Sequence, residues 1–196
     1  RSRPSTQSHV ACFDIETQKL IWNRKVCARV AGGNDSVNLA SHQLLTFAEN
    51  TLFYATGLGA VAALNPDDGT LRWVRTYEVG KREDNFALSD HSKFGLTPCL
   101  HHRGTVIFVP AGTDRVIAVA AESGVLQWER RLGDRIRHLL GVGHGKLIVS
   151  GNSLWGLNLR TGAVTWRSLV NNDDPASHGY GRGLLVGDTV WWPTRE

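Results

Sequence analysis

Histidine carries most of this chain's capacity for chemistry near neutral pH, because imidazole both titrates there and ligates metals. Of eight histidines, His42, His91, His138 and His178 each stand just ahead of an apolar run that reads as the first strand of a unit. Acids and amides accompany three of them: Asp35 and Asn38, Asp84 and Asn85, Asp173 and Asp174. Imidazoles and carboxylates converging on one face would hold a metal ion or an anionic ligand. Their offsets from the following strands differ, however, and neither HxH nor HExxH spacing occurs. These four are therefore weak metal candidates, better read as loop residues that cap turns. His101-His102-Arg103 reads as an exposed polar hairpin turn on the opposite face. No catalytic residue is assigned.

Other reactive types give less. Cys12, Cys27 and Cys99 form no CxxC, and an odd count leaves at least one thiol free, so they read as small buried hydrophobes. Gly57-Leu58-Gly59 lies between two strand-like runs with no helix following, which excludes a phosphate loop. Gly141-Val142-Gly143-His144-Gly145 reads as a hairpin. Arg130, Arg131, Arg135 and Arg137 are interleaved with Glu129 and Asp134, the pattern of a solvated edge, and the net charge is only +4. No nucleic-acid partner is expected. The longest polar stretch, 78–92, carries Phe86 and Leu88, which either anchor a partner or pack the loop on its own face. Asn171-Asn172-Asp173-Asp174-Pro175 is a second polar loop, suited to Asx turns.

The elements that must position these groups come from a repeat. Cys12–Trp22 (CFDIETQKLIW), Ala63–Trp73 (ALNPDDGTLRW), Ala118–Trp128 (AVAAESGVLQW) and Gly156–Trp166 (GLNLRTGAVTW) align without gaps. Each has a small residue first and Trp eleventh. Gly69, Gly124 and Gly162 occupy the seventh place, with Gln18 there in the first repeat. Thr17, Asp68, Ser123 and Thr161 stand sixth, where they can hydrogen-bond a turn backbone. An alternating apolar run, a polar turn with Gly where positive φ is needed, and a second run ending on Trp make a β-hairpin. A Trp returning at one fixed place is expected to dock between units, its N–H on a neighbouring carbonyl. Trp22, Trp73, Trp128 and Trp166 are the docking residues, and Gly69, Gly124 and Gly162 the turn residues.

The Trp spacings are 51, 55 and 38 residues, and a weaker hairpin precedes each later motif. Four short strands per unit of about 40 residues is the period of a β-propeller, a WD40-like architecture. The fold class is all-β: four-stranded antiparallel blades, with no helical periodicity in any useful window. The boundaries read as a half blade at 9–26, blades at 43–78, 95–132 and 137–169, and a half blade at 182–194, about four blades of sequence. A radial array needs its ends joined. Either the chain is part of a larger, seven- or eight-bladed propeller, which is the favoured reading, or a second copy completes the ring head-to-tail. Trp191 and Trp192 must point to opposite faces of their strand, so one is expected to be exposed.

Composition agrees. Hydrophobic residues at 41% and charged residues at 20% are ordinary for a globular chain. No run of about 18 apolar residues occurs, so no membrane span is expected. The absence of Met is expected of a processed, excised or truncated chain, and no signal-peptide pattern is visible.

The motif small-x-Asp-x-x-Thr-Gly-Lys-x-x-Trp resembles the repeat of the pyrroloquinoline-quinone-like propellers over nearly the full length. Cys12, Asp14, Thr17, Lys19 and Trp22 fit it, as do Ala63, Asn65, Gly69 and Trp73, then Ala118, Gly124 and Trp128, and Thr161, Gly162 and Trp166. Gln18 and Ala120 depart from it. The resemblance implies one of two branches. The non-catalytic branch, similar to the outer-membrane assembly lipoprotein scaffold, binds proteins or ligands and is periplasmic or otherwise extracytoplasmic. The quinoprotein alcohol dehydrogenases hold quinone and calcium, a disulfide between adjacent cysteines, a Glu/Asn/Asp calcium set and an Asp base. None of that set maps onto this sequence, which has no Cys-Cys. The expectation is therefore a non-catalytic scaffold with no cofactor and a protein partner. The alternative is a piece of a PQQ-dependent alcohol or sugar dehydrogenase whose catalytic residues lie outside this chain.

Overall fold

The computed structural model describes residues 5–30, 44–78, 97–110, 113–134, 136–168, 179 and 181–194. All its regular elements are strands. A two-stranded sheet pairs β1 (Ser5–Phe13) with β2 (Leu20–Val30). Three four-stranded meanders follow: β3 (Leu45–Ala48), β4 (Thr51–Thr56), β5 (Ala60–Leu64) and β6 (Leu71–Thr76); β7 (Leu100–His102), β8 (Thr105–Phe108), β9 (Arg115–Ala120) and β10 (Leu126–Arg131); and β11 (His138–Gly143), β12 (Lys146–Ser150), β13 (Leu154–Asn158) and β14 (Val164–Arg167). A last hairpin pairs β15 (Leu184–Val186) with β16 (Thr189–Trp191). Every pairing is antiparallel.

Why the sheets stack radially is visible along single strands. In β9, Ile117 and Val119 face one core with Phe53, Val61 and Phe108, while Val116 and Ala118 face another with Leu147, Val149 and Leu157. Side chains alternate at period two, so one strand serves two cores, one on each side of its sheet. β8 divides the same way, Val106 and Phe108 to one side and Ile107 to the other. Sheets buried on both faces need apolar residues at nearly every middle-strand position, and AVAAL in β5 is buried throughout. A third core joins Val10 and Val26 to Tyr54, Ala62 and Leu64. The first strands β3, β7, β11 and β15 touch one another in succession. They converge, while β6, β10 and β14 lie outermost and are more exposed. This is a propeller arc of four-stranded antiparallel blades.

His101 departs from the expectation of an exposed polar turn. Its side chain is only 11% exposed, stacked on Phe53 at 5.8 Å with 6° between the rings, and 3.4 Å from Glu49. It sits on a first strand, and first strands face the neighbouring sheet, whereas only Arg103 and Gly104 form the turn itself.

Candidate functional site

The motif turns share one geometry. Gly69, Gly124 and Gly162 have φ of +69°, +69° and +67°, and Gln18 holds the same place at +58°. A left-handed residue closes each turn, with Gln18 N–H, Gly69 N–H, Gly124 N–H and Gly162 N–H donating to the carbonyls of Asp14, Asn65, Ala120 and Asn158. The third-place side chain caps three of these turns. Asp14 Oδ1 accepts from Thr17 N at 2.6 Å and Glu16 N at 3.1 Å, Asn65 Oδ1 from Asp67 N, and Asn158 Oδ1 from Arg160 N and Thr161 N. Hydrogen bonds from Thr17 hold the Asp14 carboxyl below its ordinary range, and those from Thr70 do the same for Asp68.

The three glycine turns each receive the Trp of the sheet before them. The Trp22 indole covers Gly69 and its Nε1–H donates to Pro66 O at 3.0 Å. Trp73 covers Gly124 and donates to Ala121 O at 2.8 Å, and Trp128 covers Gly162 and donates to Leu159 O at 2.9 Å. The same backbone position, fourth in the motif, accepts every time. Two arginines add a second tie: Arg24 Nε donates to Gly69 O at 3.0 Å and Arg130 Nε to Gly162 O at 2.9 Å. Each of the first three sheets thus grips the next by an indole, and at two of these three junctions by a charged hydrogen bond as well.

Trp166 is placed differently. It lies against Gly156 on its own sheet and is 37% exposed, and no motif turn follows it within β15 or β16. At the other end no indole hydrogen bond among the described residues reaches the Asp14–Gln18 turn, and Ile15, at the accepting position, is 94% exposed. Trp191 is 67% exposed, whereas Trp192 is half-buried against Gly179.

The sequence-predicted histidine set is not assembled by the described residues. His138 begins β11 and is half-buried. His42, His91 and His178 lie outside the described residues, as do Asp35, Asn38, Asp84, Asn85, Asp173, Asp174, Phe86, Leu88, Arg135 and 171–175. Among the described residues no three His, Cys, Asp or Glu side chains come together as a metal site. Cys12, Cys27 and Cys99 are free thiols on β1, on β2 and ahead of β7. Burial pushes the Cys99 thiol up to about 12, so it stays protonated and unreactive.

One further group is legible in the repeat: arginine recurs two places after the Trp, as Arg24, Arg75 and Arg130. The cluster of Arg130, Arg131 and Arg137 is correspondingly more than a solvated edge, for Arg130 ties two sheets and Arg137 donates to Gly179 O and Asn152 Oδ1 at 3.4 Å.

The profile of the family described as outer membrane protein assembly factor BamB matches residues 6–84 and 87–195. The chain belongs to this family. The factor BamB of Vibrio cholerae serotype O1 is 29% identical over 153 residues, covering 71% of this chain and 37% of the relative. The chain therefore spans well under half the length of the curated relative it matches. BamB of Moraxella catarrhalis superposes with a TM-score of 0.56 at 16% identity, over 75% of this chain and 41% of that one. The computationally designed protein Ika8 superposes with a TM-score of 0.61 at 11% identity, over 93% of this chain and 48% of its own. At these identities the two structures speak for the fold alone.

Proposed function

We propose that this chain is an arc of a larger, non-catalytic propeller that binds proteins on the periplasmic side, in support of outer membrane protein assembly. The observation that carries this reading is the family match along almost the whole sequence. The structure supports the arc: among the described residues, a motif turn with no indole over it at one end and a motif Trp with no turn at the other are the two halves of one more junction. Further four-stranded sheets of the same kind, in the same protein or in a second copy, would close both. No quinone or calcium takes part in this reading.

Titration of the whole purified protein against the periplasmic domains of the outer membrane assembly machinery, followed by calorimetry, tests it. Saturable binding is expected. Dye-linked alcohol oxidation after supplying quinone and calcium, with no binding to those domains, would replace the scaffold with a dehydrogenase.

A further inference from the structure

Two neighbouring hairpin tips present basic side chains from left-handed backbone. Arg103, between β7 and β8, has φ +46°, and His144, between β11 and β12, has φ +49°. Each stands at the first place of a two-residue turn completed by a left-handed glycine, Gly104 or Gly145. That place favours Asn, Asp or Gly, and Glu49 holds it in the preceding sheet at φ +47°. The corresponding tips of the flanking sheets are Glu49-Asn50 and Gly187-Asp188, so the basic pair is confined to this one junction among the described residues.

Between the two tips runs an open groove of about 920 Å³. His102, Arg103, His144 and Arg160 line it, together with the amides Gln127 and Asn158 and the apolar Val142 and Leu159, and among the described residues no carboxylate does. Its walls are fixed by backbone bonds: Leu159 N donates to Gly145 O at 3.1 Å, Ala121 N to Gly104 O at 2.8 Å, and Leu159 O takes the Trp128 indole N–H. Asp188 stands outside the lining, against His144. A trough lined by the guanidinium groups of Arg103 and Arg160, the imidazoles of His102 and His144 and the apolar Val142 and Leu159 is complementary to an extended acidic segment.

We propose that this groove binds an extended, acidic segment of a partner protein. The proposal rests on the scaffold reading and deepens it by naming the surface. The probe is a fluorescein-labelled peptide of alternating Asp and Val, roughly nine residues and about 30 Å long when extended, with an Asn-for-Asp peptide as control. Anisotropy with the full chain should show saturable binding to the Asp peptide, weakening in about 0.5 M salt, and at least about tenfold weaker binding of the Asn peptide. R103E/R160E should reduce affinity by about tenfold or more, with an unchanged circular dichroism spectrum, while R182E, away from the groove, should leave it unaltered. Equal binding of the two peptides, indifference to R103E/R160E, or tighter binding of single-stranded DNA would overturn the proposal. If the assembly-machinery domains bind the wild type and R103E/R160E alike, the groove assignment falls and the scaffold reading stands.

Discussion

The indole of Trp128 occupies the space in which a side chain on Gly162 would begin. A Cβ built there would stand 2.5 Å from Trp128 Cε3 and 2.8 Å from Cδ2. Glycine is needed at that point twice over, for a φ of +67° and for the close approach of a ring from the preceding sheet. The same pairing recurs in Trp22 over Gly69 and Trp73 over Gly124.

The two requirements can be separated by substitution. Gly145 has φ +68° with nothing within 4 Å of its built Cβ, so Gly145→Ala should cost only the left-handed penalty, about 1 kcal/mol. Gly162→Ala adds overpacking against Trp128 and should cost about 2–4 kcal/mol in all. Urea unfolding of the two variants checks the difference. Equal costs would mean that the indole yields freely.

Trp128 is nearly buried and donates to Leu159 O. Trp128→Phe keeps most of the apolar area but leaves that carbonyl unpaired, for an expected loss of about 1–2 kcal/mol. Trp128→Ala also opens a cavity between two sheets, for about 3–5 kcal/mol. Thermal or denaturant unfolding should reproduce this order, and Phe costing as much as Ala would assign the effect to the hydrogen bond alone.

Alkaline stability should be limited by groups buried as neutral acids. Burial raises Cys99 to about 12 and raises Tyr77, whose hydroxyl donates to Thr56 O. The unfolded chain loses these protons first, so it binds fewer protons than the fold above the ordinary thiol range. Stability from Cys99 is therefore complete below about 9 and is lost as the pH rises toward about 12. Cys99→Ala should flatten the fall in melting temperature over that window. A slope identical to the wild type would remove Cys99 as a cause.

The thiols should also sort by reactivity. Cys12 and Cys27 are half-buried and Cys99 fully buried. Iodoacetamide at about pH 8, read by mass spectrometry of intact folded protein, should label Cys12 and Cys27 well before Cys99. Early labelling of Cys99 would reveal opening of the core around Phe53 and Phe108.

What the sequence determined by itself was periodic. A Trp eleven places into each motif and a Gly or Gln closing its turn are local signals, because turn chemistry and strand alternation act over a few residues. They sufficed for the hairpins, the four-stranded unit and the propeller class, and the unread Arg24, Arg75 and Arg130 were present in the same register. What only the tertiary structure decided was which sheet each side chain serves. His101 on Phe53, Arg130 on Gly162 O, and Arg103 beside His144 join residues far apart in the chain. Such pairings depend on how neighbouring sheets stack, and no local preference encodes that. The physical reason is that a strand buried on both faces looks uniformly apolar in sequence, while each of its side chains belongs to a different core.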